Sequence, residues 1–227
     1  MSYLDHFIFT LYPYIALSIF LLGSLIRFDR EQYTWKSDSS QMLKRGNLRM
    51  GSICFHIGIL SLFATHLVGL LTPVAVYHAF GLTAEVKQMM AIVGGAALGV
   101  LCLVGLLILL HRRFTEPRIR AVTSFGDKVL LLWLLLTLSL GLGSIFVSVD
   151  HLDGHVMMLL GSWAQHIVTF RSGAAEIITY VPWIYKVHMF MGMTLFVIFP
   201  FSRLVHVWSG FGSLAYLTRA WQLVRPR

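Results

Sequence analysis

The chain has 227 residues, 57% of them hydrophobic and 12% charged, with a formal net charge of +8 and a mean hydropathy of +0.75. That balance excludes an ordinary soluble globular protein and points to an integral membrane protein. The positive charge gathers on one side of the apolar segments and no nucleic-acid-binding motif accompanies it, so anionic lipid or a docking partner is the better reading of the high pI.

A bilayer-spanning helix needs roughly 20 mostly apolar residues, and five runs meet that length. The first covers about Phe7 to Ile26 and stops at Arg27, Asp29, Arg30 and Glu31. Its basic residues follow the apolar stretch rather than precede it, unlike a cleaved leader, so it is expected to be retained. The second covers about Gly51 to Leu71 and ends before Pro73; the third, about Met89 to Leu110, is closed by His111, Arg112 and Arg113. The fourth covers about Val129 to Val149 and ends at Asp150. His155 to Phe170 predicts an interfacial helix, and the fifth span covers about Trp183 to Trp208. The expected fold class is all-α, a single bundle of five transmembrane helices over residues 1–227.

Lysine and arginine set the expected orientation, because short cytoplasmic loops are enriched in them. Arg27, Arg30, Lys36, Lys44, Arg45 and Arg49 follow the first span; Arg112, Arg113, Arg118, Arg120 and Lys128 lie in the next loop on that side, joined by Arg203, Arg219, Arg225 and Arg227. The opposite side holds only Lys87, Arg171 and Lys186. The expected N-terminus is therefore outside and the C-terminus cytoplasmic. Cys54 and Cys102 fall within spans and read as small hydrophobes rather than as disulfide or zinc ligands. Gly94, Gly95, Ala96, Ala97 and Gly99 mark a face of the third span where a neighbouring helix can approach closely.

His56 and His66 share the second span, and His188 and His206 the fifth. An ionisable side chain at membrane depth is costly and faces a bundle interior or cavity, so four in two helices ask for a common explanation. The two helices run antiparallel, so the histidines pair crosswise: His56 is level with His206 and His66 with His188. On a continuous helix, the separation from His188 to His206 is about 27 Å and a whole number of turns, whereas His56 and His66 lie about 15 Å apart with an offset near 80°. Facing imidazoles in an apolar bundle suit bis-histidine haem, closed to exogenous ligands and fit for electron transfer. The plain alternative has each histidine hydrogen-bond a neighbour in the bundle; a copper or zinc path lacks the acidic and methionine partners expected beside it. His6, His78, His111, His151, His155 and His166 fall at or beyond span ends. Asp150, His151, Asp153 and His155 form a further, weaker metal candidate interrupted by Gly154.

The segments FHIGILSLFATHLVGLLTP and VHMFMGMTLFVIFPFSRLVHVWS resemble the two haem-bearing helices of the respiratory nitrate reductase gamma subunit family. LYPYIA, QYTWKSDSSQML, EVKQMMAIVGGAALGVLCLVG, RRFTEPRIRA, WAQHIVTF and YLTRAWQLVR extend the resemblance over nearly the whole chain. It implies a five-helix cytochrome b subunit with two haems b, the inner one held by His56 and His206 and the outer by His66 and His188. It also implies quinol oxidation near the outer haem, with electrons passing to an iron-sulfur beta subunit and a molybdenum-cofactor alpha subunit on the cytoplasmic face of a bacterial or archaeal inner membrane. The tail Tyr216 to Arg227 and the basic loops would dock those partners.

Lys87 matches the family's quinol-site lysine; read alone, it is a cation at the outer start of the third span that either meets a quinol oxygen or snorkels to the interface. Glu85 nearby is a candidate proton acceptor. Arg112, Arg113 and Arg203 are candidate partners of haem propionates, since guanidinium forks match carboxylates, although charge anchors at the cytoplasmic face would look the same. Two positions depart from the family pattern: Thr65 stands where glycine is expected and Phe28 where tyrosine is expected. A cytochrome b serving a heterodisulfide or sulfite-linked reductase would share the haem helices, and a haem-free transporter or anchor would be colourless.

Overall fold

The computed structural model describes residues 3–37 and 46–217. In chain order its helices are α1 (Tyr3–Arg30), α2 (Leu48–Leu71), α3 (Val74–Ala79), α4 (Ala84–Thr115), α5 (Pro117–Val122), α6 (Phe125–Val149), α7 (His155–Val168), α8 (Ala174–Ile178), α9 (Trp183–Ile198) and α10 (His206–Leu217). Short 3-10 turns occupy Gln32–Thr34, Phe199–Phe201 and Arg203–Val205. Among the described residues there is no strand, and five helical stretches are long and apolar enough to cross a membrane, the last of them Trp183–Phe201. The all-α, five-span class expected from hydropathy is the class observed. Lys44 and Arg45, part of the inner-loop motif and most of the Tyr216 to Arg227 tail lie outside the described residues.

The helices outrun the apolar stretches at their polar ends. Apolar runs report only the hydrocarbon thickness, whereas a helix continues until a cap or breaker stops it. Thr83 caps α4 by accepting from the Val86 backbone N–H, which brings Glu85 and Lys87 into the first turns. Ser124 and Asp127 form a reciprocal capping box at the start of α6, an arrangement that satisfies two orphan backbone donors.

The fifth span departs from expectation in the other direction. It is not one helix from Trp183 to Trp208: α9 gives way at Phe199 to 3-10 turns, Ser202 is extended at φ −122° and ψ 179°, and a new helix begins at His206. Pro200 is the cause, since proline lacks an N–H and clashes with the carbonyl four residues earlier. The continuous-helix geometry between His188 and His206 therefore does not apply, and whatever relation the two rings have is set by the break.

Breaks at membrane depth leave carbonyls that water cannot satisfy, so the protein must do so itself. Pro13 removes the N–H that Phe9 would meet one turn on, and the buried Trp163 indole donates to the Phe9 carbonyl at 2.9 Å instead. Gln165 donates to the Leu70 and Thr72 carbonyls at the end of α2, both at 3.2 Å, and the Tyr14 hydroxyl donates to the Ile167 carbonyl at 3.0 Å. These bonds tie α7 into the bundle. Expected to lie at the membrane interface, α7 has Val156, Trp163, Ala164 and Ile167 buried with Phe9, Ala16, Ala174, Ala175 and Ile178 in a core at one end. A second core of Leu106, Leu110, Leu130, Leu131 and Leu134 joins α4 to α6.

Neighbouring spans follow the order α2, α4, α6, α9, α1. The closest approach is between α2 and α4: a Cβ on Gly51 would meet Ile108 at 2.8 Å, and one on Gly58 would meet the Cys102 backbone at 2.7 Å. Cys102 is fully buried there, as a small hydrophobe. The glycine-rich stretch singled out in sequence contributes less. Gly99 meets Leu142 of α6, Gly95 has only Ile145 at 3.8 Å, and Gly94 has nothing within 4 Å.

Candidate cofactor site

His56 and His66 project from the exposed side of α2, away from the α4 contact, while His188 and His206 are half-buried. The structure brings them together in two pairs. The His56 and His206 rings stand 6.1 Å apart between centroids with planes at 71°; the His66 and His188 rings are also 6.1 Å apart, with planes at 47°. Two imidazole nitrogens at about 2 Å from one metal, each roughly 1 Å from its ring centroid, place the centroids about 6 Å apart. Both pairs have that spacing. Ring planes at an angle do not conflict with two imidazoles sharing one metal.

The tautomers agree with this. A carbonyl oxygen can only accept, so a ring nitrogen bonded to one must carry the proton, leaving the other nitrogen as a metal-ligating lone pair. His56 Nδ1 donates to the Ser52 carbonyl and His66 Nδ1 to the Leu62 carbonyl, each at 2.7 Å. His206 Nδ1 donates to the Arg203 carbonyl at 2.6 Å, and His188 Nδ1 reaches across to the Thr137 carbonyl of α6 at 3.0 Å. All four therefore present Nε2. His151 and His166 make the same bond to the carbonyl four residues earlier, that of Val147 and of Ser162, with no second histidine ring facing them among the described residues. The bond alone is a helical habit; bond and facing ring together are what a pair of metal ligands requires.

A flat macrocycle also needs open faces beside its ligands. Gly69, one turn beyond His66, and Gly192, one turn beyond His188, have nothing within 4 Å of where a Cβ would lie. Most side chains along α2 and α9 are apolar, as porphyrin requires. Donor set and spacing thus fit a bis-histidine haem at each pair, and at His66/His188 the open space beside Gly69 and Gly192 fits it as well. Among the described residues no group of three or more His, Cys, Asp or Glu is placed to hold a metal ion, so Asp150, His151, Asp153 and His155 do not assemble into one.

Residues that sequence reading passed over shape the His188 side. A Cβ on Gly141 would stand 2.8 Å from His188 Cε1, so only glycine lets the ring reach the Thr137 carbonyl. The Gly141-Leu142-Gly143 spacing was the available signal, but nothing in a single sequence says which ring it accommodates. Ser144, Ser148 and Tyr185 continue the polar seam between α6 and α9: the Ser148 and Tyr185 hydroxyls lie 2.7 Å apart, and Tyr185 donates to the Ser144 carbonyl at 3.2 Å.

The three arginines behave differently from one another. Arg203 Nε lies 2.8 Å from Asp127 Oδ1 and Arg113 Nη1 lies 3.6 Å from Asp127 Oδ2, so two of the three meet an internal carboxylate. Asp127 was not singled out in sequence, although its capping-box spacing from Ser124 was readable. Arg112 is buried. Lys87 lies at the other end of α4 with its ammonium 4.4 Å from the centroid of the buried Tyr77 ring, a cation–π contact that fixes an otherwise flexible side chain. Glu85 is exposed. Thr65 is exposed and its hydroxyl bonds back to the Leu62 carbonyl at 2.9 Å; Phe28 is exposed and meets the Trp35 ring edge-on at 5.6 Å.

The family model for the nitrate reductase gamma subunit matches residues 5–227. The chain is similar to the respiratory nitrate reductase 1 gamma chain of Escherichia coli, 49% identical over 227 residues and covering 100% of both chains. It is similar to the nitrate reductase gamma chain of Bacillus subtilis, 36% identical over 215 residues and 95% of each. A nitrate reductase-like protein of Mycobacterium tuberculosis is 31% identical over 224 residues, 96% of this chain and 33% of that longer protein.

Proposed function

The chain belongs to the nitrate reductase gamma subunit family and is a multi-pass membrane subunit of a nitrate reductase, and from that premise we propose that it is the two-haem cytochrome b subunit that oxidises quinol for the complex. The observation that carries this reading is the matched pair of 6.1 Å ring separations, each between histidines whose Nδ1 protons are committed to carbonyls. His56/His206 and His66/His188 would each hold a haem b, which when bound would supply one-electron transfer between the two membrane faces. The remaining work belongs to this chain's own side chains.

In the orientation supported by the arginine and lysine distribution, the His66/His188 pair and Lys87 lie toward the outside, and the His56/His206 pair toward the cytoplasm. Lys87, held over Tyr77, donates to a quinol oxygen, and the quinol protons leave on the outer side, with exposed Glu85 as the acceptor nearest in sequence. Thr137 and Gly141 hold the His188 ring in its ligating orientation. At the basic end, the exposed Arg118 and Arg120 of α5 and the tail from Tyr216 dock an iron-sulfur beta subunit, beyond which the molybdenum-cofactor alpha subunit reduces nitrate. The complex sits in the cytoplasmic membrane of a bacterium or archaeon, and the inward movement of electrons with outward release of protons helps build the membrane potential.

Anaerobic addition of a quinol analogue to the purified complex tests this directly. The expected result is the absorbance of reduced b-type haem, discharged again by nitrate. A colourless complex, or one whose haem quinol cannot reduce, overturns the reading.

A further inference from the structure

The break between α9 and α10 fixes His206, and one face of α1 holds the break. Along α1, Phe20, Gly23 and Arg27 recur at helical spacing. Phe20 meets the rings of Phe196, Phe199 and Trp208 at 5.1, 4.8 and 5.3 Å. Gly23 leaves room for the Pro200 ring, whose Cγ would lie 2.9 Å from any Cβ there. Arg27 Nη1 donates to the Pro200 carbonyl at 2.6 Å and to the Ser202 carbonyl at 2.9 Å.

The rest of the same guanidinium is also engaged. Its Nη2 donates to the Thr34 carbonyl at 2.8 Å and its Nε to the Thr34 hydroxyl at 3.2 Å. Next along the chain, the Trp35 indole donates to the Ser209 hydroxyl of α10 at 2.8 Å. The broken backbone is thus gripped from α1 on one side. On the other, Arg203 pairs with Asp127 at the start of α6. Between these grips lies the Arg203 carbonyl, which accepts the His206 Nδ1 proton at 2.6 Å.

We infer that Arg27 is a positioning residue for the ligating histidine His206: by satisfying the carbonyls freed at Pro200 and Ser202, it sets the backbone path that aims the imidazole at His56. The inference rests on the two-haem reading above. A planar guanidinium serves three carbonyls and a hydroxyl at once, whereas an ammonium is a single point of donation on a flexible stem. Loss of a residue that orients a metal ligand typically weakens metal retention about ten- to a hundred-fold.

The test compares purified wild-type complex with Arg27→Ala, Arg27→Lys and Gly23→Ala, reading haem per chain and the low-spin electron paramagnetic resonance signal of each haem. The expected result is selective. Arg27→Ala loses the haem at His56/His206 or shifts its g-values while the His66/His188 signal stays, and Arg27→Lys does not restore it. Gly23→Ala retains Arg27 and favours helix, so it keeps the protein folded while pressing on Pro200; it is expected to shift the same signal alone. Unchanged signals in all three variants, equal loss of both haems, or full restoration by lysine would overturn the inference. A haem-free wild type would instead overturn the underlying reading, so the two failures are distinguishable.

Discussion

The two histidine pairs share a ring separation of 6.1 Å but are built by different means. At His66/His188 both histidines sit inside continuous helices, and the ring of His188 is aimed by its neighbour α6, through the Thr137 carbonyl and the space left at Gly141. At His56/His206 the second histidine starts a new helix beyond a proline break, and its ring is aimed by the Arg203 carbonyl in the turn before it. One site depends on how two intact helices pack. The other depends on side chains that hold a broken one. Local defects should therefore affect the sites separately, which is the basis of the following predictions.

The largest effects are expected from the ligands themselves. His66→Tyr and His188→Tyr should each remove the same haem, and His56→Tyr and His206→Tyr the other, as read from the optical spectra of reduced complex. If His66→Tyr and His188→Tyr removed different haems, the crosswise pairing would be wrong. Next comes Gly141→Ala, whose new methyl would press on His188 at 2.8 Å. Overpacking of this kind costs about 1–3 kcal/mol, enough to displace the ring from Thr137, so haem at His66/His188 should fall while the other remains.

Asp127→Asn sharpens the contrast from the opposite side. It removes the charge facing Arg203 and Arg113, and breaking a buried pair costs up to about 3–5 kcal/mol, less here because the side chains keep 11–15% of their exposure. The expected outcome is a lower melting temperature together with a shifted His56/His206 signal and an unchanged His66/His188 signal. Lys87→Ala should leave both haems in place and raise the quinol KM in steady-state assays, because it removes the proposed substrate contact. The smallest effect is expected for Thr65→Gly, which restores the residue expected from the family pattern beside His66 and should alter quinol affinity with no change in haem content.

Hydropathy made the five spans legible because burial in hydrocarbon acts on every residue of a helix at once. The crosswise pairing was legible because antiparallel helices and membrane depth constrain which histidines can meet. Helix ends were less so: Thr83 and Ser124 decide where α4 and α6 begin, and these caps lie outside the apolar runs. The break at Pro200 was visible as a proline, yet its consequence for His206 depends on Gly23 and Arg27, more than 170 residues away in sequence. Gly141 and Asp127 were missed for the same reason. Their roles are contacts with partners on other helices, and no periodicity within their own segment records them. The arginine pattern gave the charge asymmetry but not that Arg203 and Arg113 converge on Asp127.

The most direct test of the central claim is a pyridine haemochrome count of haem b per chain in the wild-type complex, the His66→Tyr and His188→Tyr single variants, and the double variant. The account predicts two haems in the wild type and one in each of the three variants, because both histidines serve a single haem. A double variant with less haem than either single variant, or a wild type with fewer than two, would contradict it.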